Sequence, residues 1–206
     1  QVLEAYIRRH PEFRAALGPL KPLRGAPAIV RQMCAAAEEA GVKLALHPDD
    51  PPVPSLVDGD LVLYESMAIN LYLARRYGEA AGLWPDTVNG EGLTWQWSFW
   101  VMSEVEHPLL TVLMHSRVLP EEKRDAGRAS RYRGVLQAPF TVLDDALKDR
   151  EYLVEGRFTV ADLNVAAVLS WCKPARVHLD DFPNLTAWMD RCLSRPARKR
   201  AQRAAP

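Results

Sequence analysis

Several features that would mark a membrane or secreted protein are missing from this sequence. No apolar run approaches the roughly 20 residues of a membrane-spanning helix, and no secretory signal peptide is visible. Its 26 basic and 26 acidic residues cancel, so the chain as a whole has no general attraction for nucleic acid or membrane surfaces. These absences predict a cytoplasmic protein that binds neither nucleic acid nor membranes.

Cysteine is scarce and badly spaced for a disulfide framework or a metal site. Cys34, Cys172 and Cys192 are the three cysteines of the chain, and they lie far apart. Their number is odd, and they form neither a C-x-x-C pair nor a zinc-binding spacing. They predict reduced thiols and no metal centre.

The order of apolar patterns predicts a mixed α/β part followed by an all-helical part. The segment "VKLALH" alternates like a strand, and in "PPVPSLVDGDLVLY" the Asp58-Gly59-Asp60 turn between apolar runs predicts a hairpin. A helix is predicted next, over residues 66–77, with Gly78 as its C-terminal cap. Composition changes near residue 85, which predicts one domain over 1–84 and a second over 85–206.

The second part of the chain predicts helices and no strand. Residues 79–92 have the composition of a linker, and a long helix bent near Pro108 is predicted from residue 94. The later helical segments are predicted over 122–149, 158–171 and 182–195. The basic end of the chain, "RPARKRAQRAAP", is predicted to be frayed and solvated.

Glu65 and Ser66 stand where a strand stops and a helix starts. One interpretation is an ordinary helix cap, since Ser is favoured there. The other is a ligand site, because the first N–H groups of a helix lack partners and the helix dipole favours an anion. Ser66 and those N–H groups would bind a carboxylate, and Glu65 would bind an ammonium. An amino-acid end of a ligand carries both charges on one carbon and fits this corner.

Val53-Pro54 places a proline inside a run that otherwise predicts a strand. Proline cannot donate to a sheet, so it belongs on an edge or at the first residue of a strand. A trans edge proline is one interpretation. A cis Pro54 is the other, and it would expose the backbone of Val53 for β-type pairing with an extended ligand.

Thr159 and Asp162 open an apolar helix as a capping box, with Asp in place of the usual Glu. In that motif the Thr159 hydroxyl accepts from the Asp162 N–H, and the Asp162 carboxylate accepts from the Thr159 N–H. The pair therefore predicts a structural role, and we do not place it in a site.

Taken together, the motifs resemble those of the glutathione transferase family. "VPSLVDGDLVLYESMAINLYLARRYG" is similar to the family signature of Val-Pro before a hairpin, then Glu-Ser, Ala-Ile and Tyr-Leu-Ala on a helix. "EYLVEGRFTVADLNVAAVLSW" and "FPNLTAWMDRCLSRPA" resemble the helical domain and its closing helix. The resemblance covers residues 53–198. It implies a thioredoxin-like N-terminal domain, incomplete or rearranged before residue 52, and an all-helical C-terminal domain.

The resemblance also implies roles for the corner residues. Val53, before a cis Pro54, would pair with the cysteinyl backbone of glutathione. Glu65 and Ser66 would hold the amino and carboxylate groups of the γ-glutamyl end. Glutathione is then the co-substrate, with no metal, and the protein is expected to be a homodimer.

A second substrate, a small hydrophobic electrophile, is expected against the first long helix. The residues expected around it are Trp97, Val101 and His107. The implied reaction adds the glutathione thiolate to this electrophile, as in detoxification.

The family's catalytic Ser, Tyr or Cys has no clear counterpart here, and two alignments remain open. In the first, residues 25–47 are the first helix and second strand, and the catalytic position is Ala26-Pro27-Ala28, without hydroxyl or thiol. In the second, residues 19–50 are an insertion, and the catalytic strand lies upstream of Gln1. Tyr6 and Cys34 are candidates by residue type only.

Two other functions therefore stand beside an active transferase. One is a catalytically weak glutathione-binding or scaffold protein that retains the transferase fold. The other is an interaction module like the transferase-like domains attached to translation proteins, against which the retained glutathione corner argues.

Overall fold

The structure, a computed structural model, describes residues 43–46, 54–58 and 61–203. These residues form two compact units. One unit holds the strands and first helix, up to Tyr77, together with the last helix, and the other unit is Gly78–Arg195. The domain boundary near residue 85 stays a prediction.

The first unit contains a small antiparallel sheet in the order β1-β2-β3. Its strands are β1 (Lys43–Leu46), β2 (Pro54–Asp58) and β3 (Leu61–Leu63). Leu46 lies opposite Pro54, and Asp58 lies opposite Leu61. The predicted strand in "VKLALH" and the predicted hairpin are thereby confirmed. The turn residues 59 and 60 lie outside the described residues, as does the first helix that one alignment places before this strand.

Helix α1 (Ser66–Tyr77) follows β3 and begins and ends where the sequence predicts. Its buried residues are Ile69, Asn70, Leu71 and Ala74. These four positions lie on one wide side of α1, which is turned to the interior as expected for a helix packed on a core. The remaining face carries Arg75 and Arg76, which suit the negative end of the helix dipole.

The second unit is helical, as predicted. Its helices are α2 (Val88–Trp100), α3 (His107–Leu113), α4 (Ala126–Val135), α5 (Gln137–Ala146), α6 (Val160–Leu169), the short α7 (Cys172–Ala175) and α8 (Pro183–Ser194). Helix α6 is buried on most of its surface and lies against α2 and α8. It is therefore the central helix of this unit.

A π-helical segment, Val101–Glu106, joins α2 to α3, and Pro108 is the second residue of α3. In a regular α-helix the proline ring would collide with the carbonyl four residues earlier. A π turn moves the hydrogen bonding to i→i+5, which gives this ring room without ending the helix. The sequence predicts a bend near Pro108. In the structure, the hydrogen bonding changes from the α to the π pattern just before this residue.

Helix α2 begins at Val88, six residues earlier than the sequence predicts, so the linker over 79–92 is wrong in its second half. Thr87 caps α2, and its hydroxyl accepts from the Gly90 N–H at 3.0 Å. The Glu155 carboxylate accepts from the N–H groups of Asp86 and Thr87 and from the Thr87 hydroxyl at 2.7 to 3.1 Å. The N–H groups at the start of α2 are therefore hydrogen-bonded to an acceptor that lies nearly 70 residues away in the sequence.

The electrostatics of Glu155 agree with this capping role. Burial acts to raise the pKa of its carboxyl, but the donors of Asp86 and Thr87 outweigh burial and hold the pKa below its ordinary value. Arg157 lies 3.0 Å from the same carboxylate and 2.9 Å from that of Asp86. Glu155 is thus held as an anion at the positive end of α2.

Replacing Gly90 with Ala is expected to destabilise the protein by about 1–3 kcal/mol, because other side chains already fill the space that the added Cβ would occupy. A Cβ at this position would lie 2.4 Å from Glu155 Oε1 and 2.7 Å from the Pro85 Cβ, so the capping carboxylate would have to move. Urea denaturation measures the effect.

Gly92 of the same helix is the matched control. A Cβ there meets nothing within 4 Å, so Gly92→Ala is expected to stabilise the protein by about 0.5–1 kcal/mol through helix propensity. Equal effects of the two substitutions would contradict the capping role of Glu155.

The predicted capping box at the start of α6 is confirmed. Asp162 accepts from the Thr159 N–H at 2.9 Å, and both halves of the motif form. The carboxylate also accepts from the Leu153 N–H at 3.0 Å and from Trp188 Nε1–H at 2.9 Å. Burial raises the pKa of Asp162, while these donors act in the opposite direction. The residue therefore joins three segments of the second unit.

The basic end of the chain is helical rather than frayed over Pro196–Arg203, which is α9. Pro196 takes the first position of this helix, where its missing N–H has no cost. The predicted fraying is wrong for these residues, whereas Pro196, Ala197 and Arg200 are exposed, in agreement with the predicted solvation. Residues 204–206 lie outside the described part of the chain.

Candidate functional site

The corner between β3 and α1 has an unusual backbone. Glu65 has a φ of 73°, in the left-handed region that non-glycine residues rarely adopt. The side chain of Glu65 is exposed. Strained residues of this kind gather at ligand sites, where their conformation is part of the function. Ligand binding at this corner stays a prediction.

Ser66 is the first residue of α1, and the corner leaves its polar groups available. The first helical hydrogen bond of α1 joins the Ile69 N–H to the Glu65 carbonyl at 3.0 Å. The N–H groups of residues 66–68 come before that bond and have no partner within the helix. Within the described part of the chain, no hydrogen bond engages the Ser66 hydroxyl. These donors and the helix dipole together suit a carboxylate.

A group of polar side chains fastens the hairpin to α1. The Asp58 carboxylate accepts from the hydroxyls of Tyr72 and Tyr77, at 2.5 Å and 2.7 Å, and from Arg76 Nε at 3.1 Å. The Tyr72 hydroxyl, then the Tyr77 hydroxyl, hold the pKa of Asp58 below its ordinary value. The sequence predicts only a turn residue at Asp58, because its partners lie 14 to 19 residues away.

The other residues predicted for the glutathione site are only partly described. Pro54 is the first residue of β2 and lies opposite Leu46 of β1. Val53 lies outside the described residues, as do Tyr6, Cys34 and the Ala26-Pro27-Ala28 segment. A cis Pro54 and its pairing with a ligand therefore stay predictions.

The residues predicted to contact a second substrate differ in exposure. Trp97 and Val101 are buried, at 6% and 0% exposure, and belong to the inner face of the long helix. His107 is exposed and lies edge-on to the Tyr132 ring, with centroids 5.7 Å apart. Their contact with a substrate stays a prediction.

The described residues contain no group of three or more His, Cys, Asp or Glu side chains placed to hold a metal ion. None of the helices in this described part is both long and apolar enough to cross a bilayer.

Cys172 and Cys192 are buried free thiols, and burial raises the pKa of Cys172 to about 12. Neither thiol is poised to react at neutral pH.

A small sheet and a helix, followed by a helical unit, agree with the predicted thioredoxin-like domain followed by an all-helical domain. The chain matches the family "Glutathione S-transferase, N-terminal domain" over residues 27–75 and "Glutathione S-transferase, C-terminal domain" over residues 105–196. The N-terminal match includes residues 27–50, which favours the first alignment over the one that treats residues 19–50 as an insertion. The catalytic position stays a prediction.

Individual relatives agree with these matches. Glutathione S-transferase 3 of Zea mays is 33% identical over 79% of this chain and 75% of its own length. Glutathione S-transferase 1 of Schizosaccharomyces pombe is 30% identical over 76% of this chain and 75% of its own length. A theta class glutathione S-transferase of Xanthomonas axonopodis pv. citri, solved with glutathione bound, is 31% identical with a TM-score of 0.71, covering 84% of this chain and 90% of that one.

The chain belongs to the glutathione S-transferase family. The predicted family and the predicted fold class, an α/β domain followed by an all-helical domain, are thereby confirmed.

Proposed function

We propose that the protein is a glutathione S-transferase that binds the γ-glutamyl end of glutathione at the corner formed by Glu65 and Ser66. The left-handed Glu65 next to the open N-terminus of α1 carries this proposal. Ser66 and the N–H groups of residues 66–68 bind the carboxylate, and the exposed Glu65 carboxylate binds the ammonium. Val53, before a cis Pro54, pairs with the cysteinyl backbone.

The reaction adds the glutathione thiolate to a small hydrophobic electrophile. A free thiol has a pKa near ~8.5, so little thiolate exists at neutral pH. Binding places the sulfur beside the electrophile and so replaces an encounter between two free molecules. The electrophile lies against the first long helix, near Trp97, Val101 and His107.

The oligomeric state, the cellular compartment and the biological process are proposed from the family. The protein works as a homodimer in the cytoplasm, in detoxification, with glutathione as co-substrate and no metal. Glutathione is bound in the Xanthomonas relative at 31% identity, which supports glutathione as the ligand of this chain.

Replacing Ser66 with Ala is expected to weaken glutathione binding on the order of 10- to 150-fold. The substitution removes a hydrogen bond to a charged carboxylate, which contributes roughly 1.5–3 kcal/mol. The free energy of unfolding should change by less than about 0.5 kcal/mol, because no hydrogen bond within the described part of the chain engages the Ser66 hydroxyl. Calorimetric titration with glutathione measures the affinity, and an unchanged dissociation constant would contradict the proposed site.

Ligand fragments sharpen this test. The dipeptide Cys-Gly lacks the γ-glutamyl end, and it should bind wild-type protein and Ser66→Ala equally weakly. S-methylglutathione keeps that end and should show the same loss as glutathione in Ser66→Ala. Equal sensitivity of Cys-Gly to the substitution would place Ser66 away from the γ-glutamyl group.

A further inference from the structure

We propose that Asp58, Tyr72, Arg76 and Tyr77, named here the Asp58 clamp, position the corner that binds glutathione. The inference rests on the proposed function, since it concerns how the same site keeps its geometry. Clamp residues touch no ligand in this proposal. They act through Glu65 and Ser66.

Strand β3, the corner and helix α1 follow one another in the chain and are called here the strand–corner–helix unit. The Asp58 clamp joins the two ends of this unit that lie away from the corner. Its carboxylate is on Asp58, the last residue of β2, and its donors are on the second half of α1. Tyr72 lies six residues after Ser66, or about 9 Å along the helix. Strand β3 pairs with β2 and covers about 10 Å. The corner is therefore at one end of this unit and the clamp is at the other.

The arrangement fixes both the direction and the rotation of α1. Tyr72 and Tyr77 are five residues apart, so they leave the helix in different directions and meet at one carboxylate oxygen. Arg76 reaches that oxygen as well, and its Nε lies 3.2 Å from the Tyr77 hydroxyl. Because the Ser66 side chain belongs to the same rigid helix, its direction depends on this rotation.

The conformation of Glu65 needs a restraint of this kind. A non-glycine residue stays in the left-handed region only where the surrounding structure holds it there. The clamp holds α1 against the hairpin and so restricts the φ and ψ angles that Glu65 and Ser66 can adopt. Loss of the clamp allows Glu65 to relax, which turns its carboxylate and the first N–H groups of α1 away from the ligand.

The test is a double-mutant cycle on glutathione affinity, measured by calorimetric titration of the full chain. Tyr72→Phe removes one clamp hydrogen bond and keeps the ring, and it is expected to raise the dissociation constant about 3- to 10-fold. Ser66→Ala should then weaken binding less in the Tyr72→Phe background than in wild type, by at least about 2-fold, because the two positions are coupled. Tyr77→Phe is a second variant with the same expected direction.

Tyr152→Phe is the control, because Tyr152 lies in the second unit, outside the clamp and the corner, with its ring edge-on to Phe158. It should leave glutathione affinity unchanged. A purely structural clamp would lower the melting temperature of Tyr72→Phe with no change in affinity. It would also make the effects of Tyr72→Phe and Ser66→Ala on affinity strictly additive. Either result overturns the positioning role, as does an equal loss of affinity in Tyr152→Phe.

The two proposals fail in different ways. In one outcome, wild-type protein binds glutathione, with weaker binding in Ser66→Ala and unchanged binding in Tyr72→Phe and Tyr77→Phe. That result contradicts only the positioning role. If wild-type protein does not bind glutathione, the proposed function is contradicted and the positioning role with it.

Discussion

Replacing Asp162 with Ala is expected to lower the free energy of unfolding by about 3 kcal/mol or more, since each buried donor left without an acceptor costs about 1–3 kcal/mol. The side chain is fully buried and accepts from the Leu153 N–H, the Thr159 N–H and Trp188 Nε1–H. A capping box alone would contribute less, roughly 0.5–2 kcal/mol. Thermal or urea denaturation measures the loss.

Asp190 on α8 provides the control, because its side chain is exposed. Asp190→Ala should change stability by less than about 0.5 kcal/mol. Asp162→Asn keeps one carbonyl acceptor and should fall between wild type and Asp162→Ala. Glutathione affinity of the folded fraction should be unchanged in all of these variants. A drop in affinity without a drop in melting temperature would contradict the structural role of Asp162.

Conjugation of glutathione to a generic aryl halide is expected to be weak, even though the protein binds glutathione. The favoured alignment places Ala26-Pro27-Ala28 where the thiolate forms, and these residues offer no hydroxyl or thiol. Loss of one well-placed donor to a developing anion typically costs about 10²–10³ in rate. The turnover rate with saturating glutathione, compared with that of a related transferase carrying a catalytic hydroxyl, measures the effect.

The protonation of bound glutathione gives a second, independent measurement. Its thiol should titrate close to the solution value, which ultraviolet absorbance of the thiolate follows as pH rises. A pKa lowered by two units or more, together with fast turnover, would show that a donor exists. Tyr6, Cys34 and the N–H groups of residues 28–30 would then be the candidates. Tight binding with no turnover would instead favour the scaffold function.

Features that depend only on neighbouring residues could be predicted from the sequence. The hairpin follows from an Asp-Gly turn between apolar runs, and α1 follows from its apolar spacing and Gly78. The box of Thr159 and Asp162 is a four-residue motif, and it forms as predicted. Glu65 and Ser66 stand at a strand–helix junction whatever the rest of the chain does. These are local properties, so periodicity and capping chemistry suffice to predict them.

Tertiary structure decided which distant side chains meet. Asp58 gains partners 14 to 19 residues away, Asp162 gains Trp188, and Glu155 caps a helix that the sequence starts six residues too late. Such pairs form because packing of helices and strands brings their surfaces together, and no spacing along the chain encodes that approach. The left-handed φ of Glu65 has the same origin. The packing of β3, the corner and α1 holds Glu65 in this conformation, which a non-glycine residue keeps only where the surrounding structure restrains it.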